Sequence, residues 1–117
     1  MMRIKTEVWV KAYLRRVMAE GVAAYVAARG DDFAGAVYIH VDDLQGGHLL
    51  FGPAPAGLSG SEEERRWVAC FEQGCVNREQ AEDYLAAQKK YDPDLWIIEL
   101  EDRQSRHFLG DLLQQLR

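Results

Sequence analysis

The stretch that most constrains the fold is "YDPDLWIIELED", from Tyr91 to Asp102. Its central part, Leu95 to Leu100, is apolar at successive positions, and alternate side chains of a β-strand point to opposite faces. Trp96, Ile98 and Leu100 therefore share one face, and the other face is also apolar as far as Glu99. A strand of this kind is buried on both sides where it begins, so we predict a central strand that faces the core.

The residues before this strand read as the end of a helix. Asp92 and Asp94 bracket Pro93, and proline disfavours helical geometry at the residue that precedes it. The helix begins after Asn77, because asparagine is a good N-cap and Gln80, three residues on, completes a capping box. Asp92, Pro93 and Asp94 are thus predicted mainly to end the helix and form the turn that leads into the strand.

The rest of the chain predicts one further long helix and several strands. Helical periodicity indicates a first helix from about Glu7 to Glu20, with Val10, Tyr13, Leu14, Val17 and Met18 as its core-facing stripe. The predicted strands are Val22 to Arg29, Ala36 to Val41, His48 to Phe51, Arg66 to Phe71 and Leu95 to Leu100.

The C-terminal tail leaves two readings. Residues Arg103 to Phe108 stay open, including a short hairpin return, and we favour a helix for about the last seven residues. Short connections favour antiparallel neighbours. The fold prediction is one α+β domain over residues 1–117, with a single antiparallel sheet of about five strands packed by two or three helices.

Charge and composition exclude several classes of function. The net charge is −5 and the pI is about 5.1, so neither nucleic acid nor an anionic membrane surface is expected as a partner. No apolar run is long enough to span a bilayer, and the N-terminus lacks the apolar core of a signal peptide. With only two cysteines, the expected location is the cytoplasm.

The carboxylates Glu99 and Glu101 lie on one face of the last strand, and His107 follows soon after. A histidine beside carboxylates is suited to acid–base chemistry. The competing interpretation is that the acids mark where the strand meets water and that the histidine is a surface or capping residue. We favour this second interpretation and predict no catalytic residue.

Metal binding is not expected. Cys70 and Cys75 lack the second close pair of ligands that zinc sites need. The three histidines, His40, His48 and His107, are not at short ligand spacing from one another. We therefore predict no metal site and no cofactor.

The first helix is the best candidate for a partner-binding surface. Trp9, Lys11 and Arg15 are tryptophan and basic residues beside its core-facing stripe, and tryptophan and arginine are enriched at interface centres. The expected partner is another protein or a second copy in a homodimer, and Glu62 to Glu64 of a neighbour would supply an acidic counterpart to Lys11 and Arg15. The alternative is intramolecular, with Trp9 covered by the C-terminal leucine helix or by the proline-rich loop.

Three stretches together resemble a known family: "IKTEVWVKAYLRR" (Ile4 to Arg16), "RGDDFAGAVYIHV" (Arg29 to Val41) and "YDPDLWIIELEDRQSRHFL" (Tyr91 to Leu109). The family is proteobacterial and is catalogued only as a domain of unknown function. The resemblance implies a free-standing cytoplasmic bacterial domain. It implies no activity, cofactor or site residue, because none is established for the family.

Two classes of function follow from the sequence. The favoured one is a small non-enzymatic binding or interaction module, since the chain is short and no catalytic arrangement emerges. The alternative is a small carboxylate-dependent enzyme that uses the Leu95 to His107 region. The two differ in whether Glu99, Glu101 and His107 converge in one cleft.

Overall fold

The computed structural model describes residues 4–55 and 65–114. In chain order its elements are α1 (Thr6–Ala19), β1 (Ala23–Ala28), β2 (Val37–Asp42), β3 (His48–Pro53), β4 (Trp67–Ala69), β5 (Cys75–Val76), α2 (Arg78–Tyr91), β6 (Trp96–Glu101) and a 3-10 turn (Gly110–Leu112). Within these residues, no helix is both long and apolar enough to cross a membrane.

The predicted α+β class is confirmed. The described residues form a six-stranded sheet in the order β1-β6-β2-β3-β4, with β5 also paired to β3. The additional strand is β5, because the predicted strand from Arg66 to Phe71 ends at Ala69 and a separate short strand begins at Cys75.

One pairing in the sheet is parallel. β6 lies beside β2 in parallel register, whereas its other neighbour, β1, is antiparallel to it. Parallel strands need a long crossover connection, and here β3, β4, β5 and α2 all lie between β2 and β6. Loop lengths between neighbouring strands carry no information about such a distant partner, which is why the sequence predicted a wholly antiparallel sheet.

β6 is the central buried strand that the sequence predicted. Trp96, Ile98 and Leu100 are buried against the α1 side of the sheet. Leu95 and Ile97 are buried on the opposite side, together with the apolar face of α2. The sheet therefore has two covered faces, called below the α1 face and the α2 face.

α1 buries a slightly different stripe from the predicted one. Val10, Tyr13 and Val17 are buried as expected, but Met18 is 52% exposed and the buried stripe begins instead at Thr6. The Thr6 hydroxyl donates a 2.9 Å hydrogen bond to the carbonyl of Gly35 and so joins the helix N-terminus to the loop before β2. A buried hydroxyl is tolerated here because it has this partner.

α2 follows the sequence closely. The Asn77 side chain accepts a hydrogen bond from the Gln80 amide at 2.8 Å, and the Gln80 side chain accepts one from the Asn77 amide at 3.0 Å. The predicted capping box is thus present. The helix ends at Tyr91, ahead of Pro93, and buries Ala81 and Leu85.

The predicted C-terminal helix is wrong over the part of the tail that the structure describes. Gly110–Leu112 forms a short 3-10 turn, and Leu113 then bridges Trp67 of β4 in parallel register. The Gln114 amide donates to the Trp67 carbonyl at 2.7 Å. The leucines of the tail fit one helical face, whereas pairing with the β4 edge satisfies backbone groups that a helix end would leave open. Residues 115–117 lie outside the described part.

The open segment from Arg103 to Phe108 is a compact turn. The Asp102 carboxylate accepts hydrogen bonds from the Arg106 amide at 2.9 Å and from Arg106 Nε at 2.8 Å. Ser105 and Phe108 adopt positive φ angles of 56° and 58°, a conformation that is uncommon outside glycine. The hydrogen bonds that the Asp102 carboxylate accepts within the turn offset the conformational free energy that these backbone angles cost.

Replacing Ile98 with alanine tests the central position of β6. Ile98 is fully buried, so Ile98→Ala should lower the free energy of unfolding by about 2–4 kcal/mol, through lost burial and a residual cavity. Denaturant melts measure the change. Val8→Ala, at an exposed position of α1, is the control and should change it by less than about 0.5 kcal/mol. A loss at Ile98 no larger than that of the control would contradict the placement.

Candidate functional site

The predicted acid–base residues do not converge. Glu99 and Glu101 alternate with the buried Ile98 and Leu100, so they project from the α2 face of β6. His107 lies at the other face, where its ring packs edge-on against Phe51 at 5.2 Å between centroids. The sheet therefore separates His107 from both carboxylates.

Glu99 instead belongs to a polar row that crosses four strands. The His40 ring, on β2, has Nδ1 3.5 Å from Oε1 of Glu99 and Nε2 2.9 Å from Nδ1 of His48 on β3. On the other side of Glu99, the Tyr25 hydroxyl of β1 is its hydrogen-bonding neighbour. We call Tyr25, Glu99, His40 and His48 the polar row.

The polar row is placed by strand register. β6 aligns Glu99 opposite Tyr25 in the antiparallel pair and opposite His40 in the parallel pair. The β2–β3 hairpin then sets Asp42 opposite His48, one position along the same face from His40. Residues that are far apart in sequence thus meet on one face because every strand alternates with the same period.

The two histidines are among the most buried side chains of the protein. His40 is 2% exposed and His48 is 1% exposed. Nδ1 of His40 faces the Glu99 carboxylate and Nε2 faces Nδ1 of His48. A neutral His40 with its proton on Nδ1 directs that proton to the carboxylate and leaves Nε2 to accept from Nδ1–H of His48. Burial lowers the pKa of His40, and the neighbouring Glu99 carboxylate opposes that shift. The neutral ring is therefore favoured, with both of its nitrogens engaged.

The outer end of the polar row meets water at Tyr25, which is 44% exposed. Burial, the hydrogen bond to Glu99 and the negative charge of Glu99 together raise the pKa of Tyr25 to about 12. The phenol is therefore a neutral donor at physiological pH. The other end of the row, at His40 and His48, is buried and offers no open position to a substrate.

A second interaction docks α2 on the same face. Nη2 of Arg78, in the first turn of α2, lies 3.1 Å from Oδ2 of Asp42, whose side chain is largely buried. The other carboxylate oxygen of Asp42 accepts from the Leu44 amide at 2.8 Å. Asp42 therefore anchors the helix N-terminus and the β2–β3 turn together.

The thiols and acids form no metal centre in the described part of the chain. Across residues 4–55 and 65–114, no three histidine, cysteine, aspartate or glutamate side chains are grouped so as to hold a metal ion. Cys70 and Cys75 are both free thiols. Burial raises the pKa of Cys70 to about 11, which disfavours the thiolate that nucleophilic chemistry and metal binding require.

The candidate residues of α1 divide into an inner and an outer group. Trp9 is half-buried and stacks on Tyr13 and on Trp67 of β4, with ring centroids 4.9 and 4.6 Å away. Trp67 thus covers Trp9 within the chain. Residues 56–64 of the proline-rich loop and residues 115–117 of the tail lie outside the described part. Lys11 and Arg15 are exposed on the outer surface of α1. The acidic loop Glu62 to Glu64 lies outside the described residues.

β1 is the most exposed strand of the sheet. Its sequence, "AAYVAA", contains no charged residue, and Tyr25 and Val26 are 44% and 37% exposed. Among the described residues it pairs only with β6, so its outer side is a sheet edge. The opposite edge, at β4, is partly covered by Leu113 and Gln114.

Sequence reasoning missed His40, His48 and the β1 edge. The two histidines were judged by their spacing along the chain, whereas the β2–β3 hairpin folds them together. The available signal was the turn "DDLQGG" between them. For β1 the signal was a strand with neither charge nor strong apolar alternation, which is unusual for an edge.

The chain is similar to proteins of known structure. A family profile described as "Protein of unknown function (DUF1491)" matches residues 4–110. A crystal structure of a DUF1491 family protein from Caulobacter crescentus CB15 has 34% sequence identity and a TM-score of 0.79, and the match covers 97% of this chain and 99% of that chain. An NMR structure of a DUF1491 family protein from the same organism has 35% identity, a TM-score of 0.79 and the same coverage.

A third similar structure is the solution structure of a protein from A. tumefaciens. It has 34% identity and a TM-score of 0.76, and the match covers 98% of this chain and 96% of that chain. A search of curated proteins gave no match. The family resemblance predicted from the sequence is confirmed by these comparisons.

The buried His40 predicts a loss of stability in mild acid. The folded chain holds His40 and His107 at lowered pKa values, so the unfolded chain binds more protons below the ordinary histidine pKa of about 6.5. The free energy of unfolding should fall as the pH drops through that value, by up to roughly 1.4 kcal/mol per pH unit for each proton.

The variants His40→Gln and His107→Gln separate the two contributions. Denaturant melts from about pH 8 to about pH 5 should give a shallower pH dependence for each variant than for the wild type. If His40→Gln left the pH dependence of the free energy of unfolding unchanged, burial of His40 would not oppose its protonation.

Proposed function

We propose a binding role for this chain, which belongs to the DUF1491 family of proteins of unknown function. In this proposal it is a small non-enzymatic interaction module that binds an extended protein segment along the outer edge of β1. The bound segment adds a strand to the sheet. The carrying observation is the exposed, uncharged β1 edge.

Strand addition is favoured by what the edge offers. An edge strand presents a row of backbone N–H and C=O groups that another strand pairs with. Natural edges are usually protected by charged side chains, proline or a cover, and β1 carries neither charge nor proline. Among the described residues, the feature that protects this edge is the register shift at Ala27, between Val26 and Ala28. The straight part of the edge therefore ends at Val26.

A catalytic role for the Leu95 to His107 region has weaker support. His107 and the two carboxylates lie on opposite faces of the sheet. The histidine that does contact Glu99 is His40, and both of its ring nitrogens are engaged within a buried row. A general base needs a position within hydrogen-bonding reach of its substrate, and this arrangement provides none at His40.

The surface of α1 is a second candidate for partner binding. Lys11 and Arg15 are exposed there, and Val8 beside them is an exposed apolar residue. Its support is weaker than that of β1, because the tryptophan expected to anchor the interface is already stacked on Trp67. The proposed place of action for either surface is the cytoplasm, in keeping with two free cysteines.

Site-specific photo-crosslinking in living bacteria tests this function. A photoreactive phenylalanine derivative replaces Val26 on β1, Val8 on α1, or Glu82 on the exposed side of α2, in otherwise identical chains. The Val26 position should give crosslinked protein products after illumination, because an added strand lies within reach of its side chain. The Glu82 position is the matched control and should give none.

Two results would contradict the proposal. One is a Val26 position that yields no more product than Glu82. The other is crosslinking from Val8 alone, which would move the binding surface to α1. Circular dichroism of each purified variant verifies that the fold is intact, so that a negative result reflects the surface and not unfolding.

A further inference from the structure

We propose that the occupant of the β1 edge is a second copy of this chain, whose β1 pairs antiparallel with the first. This inference rests on the proposed function, since it names the partner of the same edge. The two sheets become one continuous sheet across a two-fold axis. Such an interface is isologous, so the same short strand must be complementary to itself.

The register follows from the shape of the edge. β1 begins at Ala23, and the irregularity at Ala27 ends its straight part at Val26. We place the two-fold axis at Ala24, so that the pairs run from Val22, just before the strand, to Val26. With the axis at Ala24, Ala24 lies opposite its own copy. Ala23 then lies opposite Tyr25 of the second copy, and Val22 lies opposite Val26.

The side chains fit this register on both faces. Ala23 and Tyr25 align with Glu101 and Glu99 of β6, so both belong to the α2 face. A two-fold axis perpendicular to the sheet keeps each face continuous, and residues directly opposite each other in an antiparallel pair share a face. On the α2 face, the small Ala23 thus leaves room for Tyr25 of the other copy. On the α1 face, Ala24 meets its own copy and Val22 meets Val26, so all the paired side chains are apolar.

Electrostatics permits the pairing in spite of the net charge of −5 per chain. β1 itself carries no charge, and the nearest acidic pair, Glu99 and Glu101, lies on β6, one strand further in. The two β6 strands would be three strand spacings apart, about 14 Å. Repulsion over that distance is largely screened at physiological ionic strength, where the Debye length is about 8 Å.

The ends of the strand add a complementary contact. The antiparallel arrangement brings Arg29, just after β1, towards the C-terminal end of α1 in the other copy, where Glu20 is exposed. A cation is favoured near a helix C-terminus. Arg29 is 56% exposed at its side chain while it pairs with Glu7 and Asp32. The contact occurs twice and favours the antiparallel orientation.

Sedimentation velocity over a range of concentrations tests the dimer. The wild type should sediment as a dimer at high micromolar concentration and dissociate on dilution, because a short strand pair is a small interface. Val26→Lys puts a charge on the edge and should give a monomer at every concentration. Val8→Lys makes the same substitution at an exposed position of α1 and should leave the dimer intact.

A disulfide test covers the case in which Val26→Lys fails to fold. In a chain with Cys70 and Cys75 replaced by serine, Ala24→Cys places two thiols across the axis, with Cα atoms about 5 Å apart. That is within disulfide range, and mild oxidation should give a covalent dimer. Ala23→Cys places its thiols diagonally, about 8 Å apart, and should stay monomeric.

The outcomes separate the partner from the function. A wild type that remains monomeric at high micromolar concentration would overturn the second-copy proposal, as would a dimer broken by Val8→Lys and not by Val26→Lys. If that monomer still crosslinks to a different protein from position 26, the strand-addition function stands and only the partner is wrong. A monomer without crosslinks from that position would overturn both.

Discussion

The insertion of β6 between β1 and β2 is the arrangement on which the rest of the structure depends. The start of β6 passes close beside the loop that joins β1 to β2. The Asp31 amide donates to the Asp94 carbonyl at 2.9 Å, and the Trp96 amide donates to the Ala36 carbonyl at 2.7 Å. A side chain at Gly30 or Gly35 would collide with the Asp94 carbonyl. The glycines of "RGDDFAG" therefore admit the "DPDLW" segment, and two of the stretches that mark the family resemblance are in contact.

The position of β6 also explains why its sequence changes character halfway. At its start, α1 covers one face and α2 covers the other, so apolar residues suit both. Near its end, beside the polar N-terminus of α2 at Arg78, Glu99 and Glu101 replace isoleucine on the α2 face. The buried His40 of β2 then has a carboxylate partner, and His48 of β3 contacts His40. The polar row therefore marks where the apolar core ends on the α2 face.

The same arrangement leaves β1 at the edge. Because β6 supplies its paired neighbour and α1 covers only one of its faces, β1 is held to the sheet along one side in the described structure. A fold that buried the α2 face of β1 would need a helix above β1, but α2 docks above β2 and β3, through Arg78 to Asp42 and through its contacts with β3. Exposure of β1 is thus a consequence of where the helix docks.

The sequence predicted what local patterns determine. The capping box at Asn77 and the strand after Pro93 each depend on a few neighbouring residues, and both predictions are confirmed. The parallel partner of β6 depends on register across distant strands, which periodicity does not encode. The meeting of His40 with His48 depends on the register of the β2–β3 hairpin, which their spacing along the chain does not reveal. The prediction of a C-terminal helix was wrong for a different reason. Leu109 and Leu113 fit one face of a helix as well as they fit the observed packing beside Trp67. The sequence left open whether Trp9 is covered by its own chain or by a partner. In the structure Trp67 of β4 stacks on it, and nothing in the sequence of that strand predicts this contact.

Amide hydrogen exchange of β1 at low and high protein concentration tests the docking edge most directly. Strand pairing protects the outward amides of Ala23 to Val26, which in a single chain face water. The account predicts that exchange in the peptide spanning β1 slows as concentration rises, while exchange in the peptide spanning α2 stays the same. Exchange in β1 that is equally fast at all concentrations would contradict the pairing of two copies through this edge.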